Sequence, residues 1–300
     1  MAGLVSAAYA DIVNGILMIV GFALTLPFIF KAVGGVSYVF QTVRESGQLS
    51  LFGNMSPREA FSYFIPMFLL LLSNANMYQR FFAAKDGKEA KKAVIGWITG
   101  TVIVDTLIVT IAIAGSVVIV GLNVPQSETI ILRVATELIP PSIGVLLIGA
   151  TVAIIISTAD SFLLVPASNI ANDLYRKIIK CEANDNRVLL ASKIAVIIVG
   201  IMAYLLAQFF PRILKAAFAA FTIYGASITP ALISSFFWKR VGKHGAIFSI
   251  IGGSLITIIW EILIKIKHGS LPLGVEAIYP AFIVSLLGLF IGVIFFPNNS

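Results

Sequence analysis

Residues 153–166 read AIIISTADSFLLVP. Ala153 to Ile156 open the stretch as lipid-compatible helix, Ser157, Thr158, Asp160 and Ser161 interrupt it, and Phe162 to Val165 resume it. A carboxylate in the middle of a membrane helix costs roughly 2.5–3.5 kcal/mol by insertion scales, so it has a partner or a task. The surroundings are those of a membrane helix. Apolar sequence continues on both sides from about 143 to 179, beyond the ~20 residues a bilayer core requires.

Seven other blocks are of membrane-spanning length, at about 5–30, 63–84, 92–121, 188–209, 213–238, 245–266 and 275–296. The chain is 59% hydrophobic and 12% charged, with a mean hydropathy of +1.00, a balance that excludes an ordinary soluble domain. Outer-membrane-barrel alternation is absent. The fold class is therefore all-α and polytopic, with about eight transmembrane helices in one transmembrane domain over residues 1–300.

A net charge of +7 invites a nucleic-acid reading, but its placement argues against one. Alternate loops, around 80–92, 176–193 and 239–243, carry thirteen of the Lys and Arg residues against eight on the other side. The richer set is expected to be cytoplasmic. That makes a multi-pass protein of the plasma or inner membrane with both termini inside, its partner the lipid bilayer and no nucleic acid. Cys181 is the only cysteine, and His244 and His268 fall in different loops, which leaves no cysteine- or histidine-based metal site. Scattered acids without clustered His or Cys also argue against an intramembrane enzyme.

The loops carry local signals. Val36, Val39, Phe40 and Val43 are spaced for a short amphipathic surface helix. Ser56, ahead of Pro57 and Glu59, reads as an N-cap. SETIILRVATELIPPS, residues 127–142, reads as a second external helix, capped by Ser127 and stopped by Pro140 and Pro141. Within the second span, FIPMFLLLLSNANMYQRFF (residues 64–82) places Pro66 two turns before Ser73, Asn74 and Asn76. Interrupted helices of this kind are where transporters free backbone groups for ions and substrate; a proline-kinked helix with amides bonded to its neighbours fits the same residues.

On a helix of 3.6 residues per turn, Ser157, Ser161 and Ser168 share one stripe. Hydroxyls at Ser157 and Thr158, with a carbonyl one turn earlier, are hard, uncharged oxygen ligands suited to Na+. Ser and Thr also bond back to their own helix or join neighbouring helices, and both readings are open from the residues alone. Asp105, deep in TGTVIVDTLIVT (residues 99–110), is a candidate functional carboxylate. Asp11 is either on an ion route or a solvated helix-terminal acid. Trp260 and Glu261 read as interfacial anchors.

Four segments in order resemble the sodium:solute symporter family: YADIVNGILMIVG (9–21), NANMYQRFFAAKDGKEAKKA (74–93), IISTADSFLLVPASNIANDLYRK (155–177) and TPALISSFFWKRVGKHGAIFSIIGG (229–253). The resemblance implies part of the inverted-repeat fold shared with the bacterial leucine transporter. The last helix of the first repeat would be about 5–30, the second repeat about 63–238, and accessory helices about 245–296. It implies a Na+ site using Ser157, Thr158 and the Ile154 carbonyl, with Asp11 on the ion's inward path. Asn74 matches a polar position that contacts substrate in sugar-transporting relatives. Ser73, Asn76, Thr101, Asp105, Ser161 and Thr222 complete the candidate solute set. Thr101 and Thr222 stand where sugar transporters place lysine and glutamine, which disfavours a sugar and leaves an amino acid, a carboxylate or an organic cation as the solute.

The family's preceding helices have no counterpart here, since Met1 lies almost directly before the fifth core helix. The expected function is thus that of the C-terminal portion of a Na+-coupled symporter working by alternating access, incomplete alone and partnered by a missing N-terminal half. The competing expectation is a non-transporting membrane remnant or partner subunit.

Overall fold

A computed structural model of the chain describes residues 4–50, 52, 55–179, 184–208, 210, 212–267 and 270–296; Cys181 and His268 lie outside them. The long helices are α1 (Leu4–Ala32), α3 (Pro57–Ser73), α5 (Gly87–Val118), α8 (Pro141–Asn169), α9 (Asp185–Ala207), α12 (Lys243–Ile266) and α13 (Ile278–Phe295). Shorter ones are α2 (Val36–Glu45), α4 (Ala75–Phe82), α6 (Val124–Ser127), α7 (Ile130–Arg133), α10 (Ile213–Ile223) and α11 (Thr229–Phe237). π-helical turns extend α7 through Leu138 and α8 through Ile179, and link α10 to α11 over Tyr224–Ile228.

Among the described residues, 8 helical segments are long and apolar enough to cross a membrane, from Tyr9–Ala32 to Ile278–Phe295. This is a multi-pass α-helical membrane protein. The second segment, Pro57–Phe82, is interrupted: α3 ends at Ser73, α4 starts at Ala75, and Asn74 between them is extended (φ −65°, ψ 104°). The cluster of poor helix-formers thus ends the helix within the span.

Local chemistry explains several helix starts. Ser56 opens α3 with a capping box, its hydroxyl accepting from the Glu59 amide while the Glu59 carboxylate accepts from the Ser56 amide at 3.1 Å. The helical segment near residue 127 starts earlier than the spacing predicts. Asn123 is the cap, in a reciprocal box with Gln126, and Ser127 closes α6, its hydroxyl donating to the Val124 carbonyl at 2.7 Å. The Asn-Val-Pro start outcompetes Ser127, because proline at the second helical position is pre-set for a first turn. α2 buries Val39 and Val43 and exposes Phe40.

The chain divides into two compact units, Met1–Leu49 with Ala75–Phe209, and Ser50–Asn74 with Phe210–Ser300. In the first, α1 packs against α5 and α8 around a core of Phe22, Ile29, Ile111, Val134 and Leu147. The α1–α8 approach is close because it uses small residues: a Cβ at Gly21 would stand 2.6 Å from that of Ala150. In the second, α12 and α13 meet through Gly245, Gly288 and Gly292, the small-residue spacing that lets membrane helices approach. Buried hydroxyls join the same unit, with Ser249 and Ser285 2.6 Å apart.

Candidate ion and solute site

Three helices of the first unit bring a polar cluster together. α1 carries Asp11 near its start, α4 carries Arg80 in its last turn, and α8 carries Ser157 and Ser161 one turn apart. One Asp11 carboxylate oxygen accepts from the Arg80 guanidinium at 2.6 Å, and the other accepts a short hydrogen bond from the Ser157 hydroxyl. The same guanidinium nitrogen donates to the Ser161 hydroxyl at 3.0 Å. The Asp11 side chain is 18% exposed and that of Arg80 47%. Its charged partner and the donated hydroxyl occupy both oxygens of this enclosed carboxylate, which is how acids are accommodated at such depth.

Arg80 is placed there by the break at Asn74. A helix restarting at Ala75 brings residue 80 to its last turn, where a cation also complements the helix dipole. From the sequence, Arg80 belongs only to the basic set that fixes orientation. The signal that it does more is its position six residues after Asn74, on a short amphipathic helix.

Ser157 and Ser161 share one face of α8, as the helical stripe requires, and both point into the cluster. Ile154 is half-buried against the core of the first unit, whereas Thr158 and Asp160 are exposed. Asn76 and Thr101 are half-buried, and Asp105 is exposed on α5. Ser73, Asn74 and Thr222 belong to the other unit. Ser73 is buried, and its hydroxyl is engaged at the end of α3: it donates to the Leu69 carbonyl at 3.2 Å and lies 2.9 Å from the Thr229 hydroxyl. Thr222 is buried on α10, facing a cavity that also receives Glu261 and Glu276.

A membrane span interrupted at Asn74 and a carboxylate–guanidinium–hydroxyl cluster at membrane depth are features that secondary transporters use. The model of the sodium:solute symporter family matches residues 1–253. The chain belongs to that family. It is similar to the osmoregulated proline transporter OpuE of Bacillus subtilis, 29% identical over 292 residues, which cover 95% of this chain and 58% of the relative. Similarity to the high-affinity proline transporter PutP of the same organism is also 29%, over 297 residues, covering 96% of this chain and 60% of the relative. A sodium/proline symporter of Staphylococcus saprophyticus is 32% identical over 173 residues, 56% of this chain and 34% of that protein. The chain thus spans about six-tenths of the length of the first two relatives. Family and relatives are transporters, not enzymes.

Proposed function

We propose that these residues form the ion-handling part and much of the solute site of a Na+-coupled symporter for a small amino acid of the proline type. The observation that carries the reading is the cluster in which Asp11, Arg80 and Ser157 tie α1, α4 and α8 together. The donor set suits Na+: hydroxyl, carbonyl and carboxylate oxygens are hard ligands, and a nearby cation keeps the carboxylate from holding the ion too tightly. Ser157, Thr158 and the Ile154 carbonyl lie on consecutive positions and turns of α8 and would serve as ligands. Asp11 competes for the Ser157 hydroxyl, so breaking that hydrogen bond frees the hydroxyl oxygen to turn toward an ion and leaves the carboxylate to receive it afterwards. Arg80 supplies the counter-charge that lets Asp11 return to Ser157.

In this reading the N-terminus of α1 faces the cytoplasm and Asp11 stands at the inner mouth, consistent with the loop charges. Asn76, Thr101 and Asp105 are the proposed solute-facing positions of the first unit, and Ser73, Asn74 and Thr222 those of the second. A zwitterion fits this mixture of amides, hydroxyls and a carboxylate better than a sugar, and the names of the similar proteins point to the same class. The part of the relatives' length that this chain does not span would supply the opposing ligands. Alternating access then proceeds by one helical repeat moving against the other.

The test is Na+-dependent proline uptake into vesicles containing the chain together with a complementary N-terminal segment. Ser157→Ala with Thr158→Ala is expected to raise the Na+ concentration required for half-maximal uptake about ten-fold, as expected from losing interactions to a charged group. An unchanged Na+ dependence refutes the ligand assignment.

A further inference from the structure

The first turns of α5 set cations in line with an exposed apolar face of the same helix. Lys88, Lys92, Ile95, Thr99, Val102 and Thr106 recur at intervals of three and four residues and are all exposed, so they form one strip along the helix. Lys91 flanks the charged end, and Lys85 stands just before the helix. The Thr106 hydroxyl donates back to the Val102 carbonyl at 2.6 Å, which keeps that part of the strip compatible with hydrocarbon. Thr101 and Asp105, proposed above to face the solute, lie about a third of a turn round the helix from the strip.

Helix length sets the depth of the lysines. α5 has 32 residues. At about 1.5 Å per residue it is roughly 48 Å long, against a hydrocarbon core of about 30 Å. Residues 113–118 at its far end carry no charge, so the excess falls at the lysine end. About the first twelve residues then stand at headgroup depth, with the exposed Trp97 at the boundary, where tryptophans concentrate. Lys88 lies about 5–6 Å from Lys91 and from Lys92, Cβ to Cβ, so three ammonium groups can meet one phosphate.

The charge here is also left open. In the same unit Arg176 and Lys177 are neutralised by Asp185 and Asp173, at 3.3 and 2.6 Å. Among the described residues Lys85, Lys88 and Lys91 have no acid partner, and Lys92 alone is held, by Glu89 at 2.8 Å. Asp86 is occupied as the cap of α5, its carboxylate accepting from the Lys88 and Glu89 amides at 2.9 and 2.8 Å. The first-turn amides are therefore taken, and lysine side chains alone present the positive charge. Setting orientation requires that bases be present; it does not account for their lying unpaired at the head of an apolar strip.

We propose that this end of α5 is a docking surface for an anionic phospholipid, its phosphate among Lys88, Lys91 and Lys92 and its acyl chains along Ile95 and Val102. A lipid matches both parts of the strip in order, charge at headgroup level and hydrocarbon below it. A soluble phosphate matches only the first part, and a packed helix would need acids in line with apolar residues. The inference rests on α5 spanning the membrane, not on the sodium or solute reading.

The test uses the full chain with Trp97→Phe, Trp238→Phe and Trp260→Phe, and with Ile95→Trp as a single reporter on the strip. It is reconstituted in phosphatidylcholine bilayers containing dibrominated phosphatidylglycerol or dibrominated phosphatidylcholine. Quenching is expected to show the anionic lipid bound at least about five-fold more tightly, the effect of one lysine at an anionic surface, and to fall toward parity in about 0.5 M NaCl. Lys88→Gln with Lys91→Gln is expected to abolish the preference. Glu89→Gln, which frees Lys92, is expected to raise it about two-fold or more, a gain that misfolding does not produce. With the reporter moved to the exposed position Ile201 of α9, as Ile201→Trp, parity is expected. Equal quenching by the two lipids at Ile95→Trp, the same preference at Ile201→Trp, or a preference unmoved by both charge variants overturns the proposal. So does loss of the preference in about 10 mM inorganic phosphate at constant ionic strength, which would identify a site for a free anion.

Discussion

Replacing Arg80 with Gln is expected to tighten Na+ binding, the opposite of what loss of a structural contact does. The guanidinium stands 2.6 Å from the Asp11 oxygen whose partner oxygen accepts from Ser157, so a cation arriving at Ser157 meets a positive charge one side chain away. Two unit charges about 4 Å apart interact by roughly 4 kcal/mol at the effective dielectric of a protein surface. Asp11 offsets part of this repulsion. Water at the half-exposed Arg80 screens more of it, since exposed ion pairs retain only a fraction of their Coulomb energy. A net relief of about 1–2 kcal/mol remains, a gain of roughly 5- to 30-fold in affinity. The assay is equilibrium binding of radiolabelled Na+ to the purified protein, with Asp11→Asn as the opposing variant, in which affinity is expected to fall. A weaker or unchanged Na+ affinity in Arg80→Gln, with the protein still folded, refutes the idea that Arg80 and the ion compete for the same carboxylate.

Three further outcomes concern stability. Thr229→Val removes a fully buried hydroxyl that lies 2.7 Å from the Leu69 carbonyl and 2.9 Å from the Ser73 hydroxyl; a loss of about 1–2 kcal/mol is expected, read as a lower thermal midpoint in detergent. Gly292→Leu forces a side chain into a contact where even a Cβ would stand 2.1 Å from the Gly245 Cα, and backbone on both sides leaves no easy relief. The cost is about 1–3 kcal/mol or more, whereas Gly100→Ala, with nothing within 4 Å of the new Cβ, is expected to be neutral or stabilising. Burial raises the Glu276 carboxyl above 4.5, so the folded state holds a proton that the unfolded state has released. Stability from this group is therefore greatest below about pH 4.5 and declines as pH rises through the raised value. Glu276→Gln is expected to match the parent in acid and to exceed it near neutrality; a parallel pH profile for the two proteins would contradict the assignment.

What could be read in advance follows from the physics of each feature. A bilayer demands about 20 apolar residues in a row, so the spans are written in a one-dimensional signal: 143–179 was expected and Pro141–Ile179 is found. The break in the second span was legible for a similar reason, because Ser-Asn-Ala-Asn is a local statement about helix propensity. A cap is a contest between neighbours, and there a local reading failed: Ser127 looked sufficient until Asn123, Pro125 and Gln126 offered a better start. The ion cluster is a different kind of fact. Asp11, Arg80 and Ser157 are separated by 69 and 146 positions from Asp11 onward, and no periodicity links them. From the residues alone Asp11 reads equally as an ion-route carboxylate or a solvated helix-terminal acid, and Ser157 as an ion ligand or a hydroxyl bonded within the helices, so neither names its partner. Which partner it is depends on where α4 resumes after Asn74. The cavity of the second unit illustrates the same limit, since Glu261 viewed alone is a helix-end acid and acquires meaning only when the fold sets Glu276 and Lys215 beside it.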